Sequence, residues 1–223
     1  MVERIVVGHL NTNTYLFSSW KKECIVIDVG GDTQKIIAQM TMKNLKPRGI
    51  VLTHGHLDHV AACGELIRYY KDQGLSVELA IHGQDAHYLG KRAEKSQRDT
   101  LASLGLSGSG LMEEMFQPLP EPDVILSEGD EVFESDLRVI HTPGHTKGSI
   151  SLYSPSQGVL FSGDTLFFEG IGRTDTRDGD AKAILSSIQK KLITLPPETR
   201  VFPGHGPFTT IEREIKNNPY IRV

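Results

Sequence analysis

A chain of 223 residues is long enough to bury one sizeable core. An apolar content of 38% and a charged content of 23% fit a soluble globular protein. The net charge of -4 excludes a surface built to grip a phosphate backbone.

Residues 5–8, 14–18 and 24–28 are short runs rich in Ile and Val between turn residues, and they predict three strands. Gly30-Gly31-Asp32-Thr33 breaks the chain and opens a helix over 34–44, with Ile36, Ile37 and Met40 on one face and Pro47 as its stop. Residues 49–53 predict a buried strand and 60–71 a helix. A short strand at 77–81 follows, then a polar helical stretch at 84–104. Residues 104–110 (LGLSGSG) predict a mobile loop beside a helical segment. The second half turns strand-rich at 124–126, 131–133, 137–141, 149–153 and 159–162. A helix at 181–192, a strand at 200–202 and a short helix at 210–217 complete it. Each half holds strands and then a helix, so two sheets face to face with helices outside is the simplest arrangement, in one domain over 1–223.

The chemistry concentrates in Thr53-His54-Gly55-His56-Leu57-Asp58-His59, between a strand and a helix. His54 and His56 are two apart, so an extended backbone points them the same way. His145, Asp164 and His205 each follow a predicted strand, and each has glycine beside it. Five histidines and two carboxylates suit zinc or a similar borderline metal, and they exceed what one tetrahedral ion uses. Two divalent ions account for all seven.

With these motifs the sequence resembles the metallo-β-lactamase superfamily, and within it the glyoxalase II-like hydrolases of the short bacterial type. The likeness runs from Asn13-Thr14-Tyr15 through Ile27-Asp28 to Pro203-Gly204-His205-Gly206. The resemblance implies an α/β fold, an αβ/βα sandwich of two mixed sheets flanked by helices. It implies one metal on His54, His56 and His145, a second on Asp58, His59 and His205, and Asp164 bridging them. Zinc comes first, with iron or manganese as alternatives. It further implies hydrolysis of a thioester such as S-lactoylglutathione, by attack of a metal-bridging hydroxide on the carbonyl. Asp58 and Asp164 are then the catalytic carboxylates. Fuller members carry a further helical domain that helps hold glutathione, whereas this sequence runs only 18 residues beyond His205. The substrate expected is therefore a small thiol ester, of glutathione or of another thiol.

Other residues carry two readings each. Arg173, in Gly-Arg-Thr-Asp, either meets a substrate carboxylate or forms a structural ion pair. Lys147 either faces substrate or is a solvated surface lysine. Asp28 either orients a ligand histidine or caps a turn. His141 reads as structural, and His9, His82 and His87 as ordinary polar residues. Cys24 and Cys63 set no disulfide framework and read as buried thiols of a reducing compartment. No signal peptide or spanning run is legible, so the expectation is a cytoplasmic protein without membrane or nucleic-acid partners.

Rival functions share parts of the pattern. A persulfide dioxygenase uses one iron, here on His54, His145 and Asp164, but His205 in Pro-Gly-His-Gly fits a dinuclear hydrolase better. A di-iron electron-transfer module places glutamate where His56 stands. A nuclease fits the acidic balance poorly, and a periplasmic β-lactamase needs a signal peptide.

Overall fold

The computed structural model describes residues 1–18 and 22–221. The first sheet holds six strands in chain order: β1 (Val2–Val7), β2 (Thr12–Phe17), β3 (Glu23–Ile27), β4 (Lys46–Val51), β5 (Glu78–His82) and β6 (Val124–Leu126). The first three pair antiparallel, and β3 to β6 pair in parallel. Parallel neighbours need crossovers. These run through α1 (Thr33–Met42), then the single turn α2 (Leu57–Val60) with α3 (Cys63–Asp72), then α4 (Ala93–Ser103) with α5 (Leu111–Met115).

The second half supplies β7 (Arg138–His141), β8 (Ile150–Ser154) and β9 (Val159–Gly163), then a hairpin of β10 (Leu166–Phe167) and β11 (Gly170–Ile171). Helix α6 (Ala181–Ser187) leads to β12 (Arg200–Pro203), β13 (Thr209–Thr210) and α7 (Ile211–Asn217). The five-stranded sheet is ordered β13-β12-β9-β8-β7, and only β9 and β12 are parallel. The expected mixed sheets and outer helices are both present.

Strand alternation builds the layers. In β3, Cys24 and Val26 face Ile36 and Met40 of α1 and Leu66 of α3. Ile25 and Ile27 face the opposite way, into a core shared with Val139, Leu152 and Phe161 of the second sheet. In β9, Phe161 points into that shared core while Leu160 points out against Ile184, Ile188 and Leu192. Strands buried on both faces read as unbroken apolar runs, as these do. Both cysteines are free and buried.

Four boundaries differ from the sequence expectation. Helix α1 ends at Met42, two residues short of the expected Asn44, and Pro47 is not what stops it. Asn44 takes a left-handed conformation (φ 53°) and the Leu45 amide bonds back to the Met40 carbonyl. Pro47 then lies inside β4, beside a register shift in the pairing with β3. Residues 131–133 form no strand: Phe133 has φ 48°, and Glu131 makes a single bridge to Arg138. The stretch 60–71 divides into α2 and α3, because the Ala62 amide donates to the Val29 carbonyl. The start of 84–104 is 3-10 turn, at Gly83–Tyr88 and Gly90–Arg92. Among the described residues no helix is long and apolar enough to cross a membrane.

Candidate metal centre

The site lies where strand ends from both sheets meet. His54, His56, Asp58 and His59 follow β4 and run into α2, and His145 follows β7. Asp164 and His205 follow β9 and β12, parallel neighbours whose C-terminal ends lie side by side. Close approach is essential there: a Cβ on Gly204 would sit 2.1 Å from Asp164 Oδ1 and 2.7 Å from His59 Cε1. Gly163 turns with φ 48°, a conformation that glycine adopts without strain.

All seven residues singled out by the sequence come together. Ligand atoms of His54, His56 and His145 lie within 4.8 Å of one another, as do those of Asp58, His59 and His205. A third group of the same tightness, His54, His59 and Asp164, joins the two. Asp164 Oδ1 is 3.4 Å from His59 Nε2, and its Oδ2 is 3.7 Å from His145 Nε2 and 3.6 Å from His205 Nε2. His54 Nε2, His56 Nε2 and Asp164 Oδ1 are buried without a hydrogen-bond partner. Buried polar atoms are nearly always satisfied, so orphans grouped among imidazoles and carboxylates fit bound cations. The fold and this cluster mark a divalent-metal site.

Charge is divided within the cluster. Burial, then the neighbouring His59 and His145, push His54 well below the ordinary histidine value. Burial and His145 do the same to His56. Burial also opposes a charge on His59, but the carboxylates of Asp164, Asp58 and Asp28 outweigh it and raise its pKa to about 10. Burial works against His205 too, and the Asp58 hydrogen bond and Asp164 overcome it, so its pKa rises. Burial favours the neutral form of Asp58, yet His59 and His205 hold its pKa below the usual carboxylate range.

Support comes from outside the cluster. Asp28 accepts from His59 Nδ1 at 2.8 Å, from the Thr53 amide at 2.8 Å and from the Thr53 hydroxyl at 2.8 Å. That hydroxyl in turn lies 3.1 Å from His54 Nδ1. One carboxylate therefore fixes two imidazoles with Nε2 presented to the site. His145 Nδ1 donates to the Arg173 carbonyl at 2.8 Å, which turns its Nε2 toward the cluster, 2.9 Å from His56 Nδ1. Of its two sequence readings, Asp28 takes the orienting one.

Sequence reasoning missed Asp85. It is fully buried and accepts from the Gly55 amide (2.9 Å), the Thr146 hydroxyl (2.7 Å) and the Gly148 amide (2.7 Å). It thus ties the His54–His56 loop to the His145 loop. Burial raises its pKa against those three bonds. Nothing local in Gln84-Asp85-Ala86 signals this, because both partner loops are remote in sequence. Asn13 and Tyr15 carry another missed role. Asn13 Nδ2 donates to the carbonyls of Pro203 (2.8 Å) and Gly206 (3.0 Å), and the Tyr15 hydroxyl to Pro203 (2.7 Å), so both hold the His205 turn.

A cavity of about 520 Å³ opens over the cluster, with His56, Asp58, His145, Asp164 and His205 in its floor. Arg173 reaches this cavity, and its Nε and Nη2 are paired with Asp175 at 2.7 and 2.8 Å. Of its two sequence readings, Lys147 fits the surface one: it lies outside the lining of this cavity, 66% exposed and paired with Asp178 at 3.0 Å. His141 is structural, stacked on His82 with ring centroids 4.1 Å apart. His9 and His87 lie outside the cluster, each beside a carboxylate.

The metallo-beta-lactamase superfamily model matches residues 7–205. A probable metallo-hydrolase of Bacillus subtilis, YqgX, is 34% identical over 98% of this chain and 96% of its own. The hydroxyacylglutathione hydrolase GloC of Haemophilus influenzae is 32% identical over 99% of this chain and 97% of its own. Among solved structures, BLEG-1 B3 metallo-beta-lactamase superposes with a TM-score of 0.85 at 35% identity, covering 99% of both chains. TTHA1623, in a di-iron-bound form, gives a TM-score of 0.80 at 33% identity over 98% of this chain and 99% of its own.

Proposed function

The chain belongs to the metallo-β-lactamase superfamily, and from that premise we propose that it is a dinuclear metal-dependent hydrolase of thioesters of the S-lactoylglutathione type. The observation that carries this reading is the convergence of seven donors, orphaned polar atoms among them, beneath a cavity wide enough for a small ester. His54, His56 and His145 would hold one cation and Asp58, His59 and His205 the other, with Asp164 within reach of both sets. Zinc is the cation proposed, although TTHA1623 holds two irons.

Cations bound there supply Lewis acidity toward a carbonyl oxygen and acidify water toward neutral pH. The residues of the chain do the rest. Asp28 and the Arg173 carbonyl hold the outer nitrogens of His59 and His145, so the inner nitrogens are the ones that would face a cation. Asp58 stays ionised, accepts from the Thr12 hydroxyl at 3.3 Å and lies at the cavity floor, where it accepts a proton's hydrogen bond from attacking water. Among the described residues that line the cavity there is no lysine or tyrosine to protonate a leaving amine. A thiolate leaves without that help, since thiol pKa values are about 8.5. This favours thioesters over amides and β-lactams.

Elemental analysis of purified protein, with a panel of thioesters, a β-lactam and a persulfide, tests the proposal. The expected outcome is two metals per chain and cleavage of S-lactoylglutathione. One iron per chain, no thioester turnover and rapid oxygen uptake with the persulfide would overturn it.

A further inference from the structure

The walls of the cavity differ from its floor. Leu101 of α4, Leu104 and Leu106 of the following connection, and Leu111 and Met115 of α5 line one region of it. Leu10 and the hairpin residues Phe167 and Ile171 add to the apolar lining. The wall is joined to the metal-binding segment, because Met112 and Met115 pack against Leu57 and Ala61.

Polar side chains that reach the cavity outside the donor cluster already spend donors on the protein. Gln97 Nε2 donates to the Gly55 carbonyl at 2.7 Å, and the Thr100 hydroxyl to the Ser96 carbonyl at 3.1 Å. The Thr176 hydroxyl donates to the His145 carbonyl at 3.3 Å, and the charge of Arg173 is offset by Asp175. A hydroxylated or multiply charged group entering this space loses water and gains few partners. A hydrocarbon chain gains with each methylene it buries.

We infer that the cavity is an acyl-chain pocket, so that the preferred thioesters carry an extended apolar acyl group rather than a small hydroxylated one. This rests on the thioester reading for its chemistry, but the pocket itself is testable without turnover. Straight-chain carboxylates from acetate to octanoate are titrated calorimetrically into the zinc-loaded protein. Affinity should rise roughly fourfold per methylene, the ratio expected when each CH₂ leaves water. An affinity independent of chain length overturns the inference, whether or not thioesters are cleaved.

Turnover is read on acetyl to octanoyl thioesters of one small neutral thiol, beside S-lactoylglutathione. kcat/KM should climb with chain length and surpass that of S-lactoylglutathione; a preference for the latter overturns the inference. Leu104→Ser and Leu106→Ser should flatten both series while metal content, measured on the same samples, stays at two per chain. Slopes that survive both substitutions place the chain elsewhere and overturn the pocket. A rising carboxylate series without cleavage of any thioester supports the pocket and overturns the hydrolase reading instead.

Discussion

His54, His56 and His145 meet with no carboxylate in their own triad, whereas Asp58 shares its corner with His59 and His205. The first corner suppresses charge: burial and crowding push His54 and His56 down. The second attracts protons: carboxylates raise His59 and His205 despite their burial. A cation entering the first corner displaces little, while one entering the second competes with protons already held there. Two corners of one site therefore answer differently to acid, to chelators and to substitution.

The largest break in this contrast comes from Asp164, which alone among the described carboxylates lies within reach of histidines of both corners. Asp164→Ala should lose both metals and reduce kcat/KM by more than about 10³-fold, well beyond the effect of an orienting residue. Metal analysis and thioester kinetics check this, and full activity in that variant refutes the bridging role. Asp28→Asn comes next, since it weakens the support of both His59 and His54. Metal affinity should fall by about 10–100-fold, read by chelator competition. The loss should be greater at the second corner, where the carboxylate touches the imidazole directly.

The smallest effect sharpens the contrast through pH. In metal-free protein the raised pKa of His59 contributes stability that is fully present below about 6.5 and lost as pH rises through about 10. In loaded protein, on the ligand set proposed, Nε2 would face a cation and have no proton to lose. Melting temperatures of stripped and loaded protein should diverge between pH 7 and pH 10, with the stripped form falling. A constant gap across that window refutes the protonated state assigned to His59.

The sequence made the layers legible because β3 and β9 are buried on both faces and leave continuous apolar runs. It made the donors legible because histidine and aspartate beside glycine at strand ends recur four times. Asp85 stayed hidden because its meaning lies in amides and a hydroxyl some 30 to 63 residues away. Lys147 kept two readings for a related reason. Two residues past His145 in sequence, it lies outside the cavity lining and is paired with Asp178, a partner that spacing does not reveal. Pro47 looked like a helix stop because proline is tolerated inside a strand only where pairing slips, as it does beside β3.

Asn13 grips the turn of His205 from 190 residues away, and His59 meets His205 across 146. During synthesis the first four donors emerge long before their last companion. On the ligand set proposed, a nascent chain first displays an incomplete set of donors, and loop closure over that span has to come before the set is complete. That order would make metal loading a step that latches a nearly finished fold rather than a seed around which it grows.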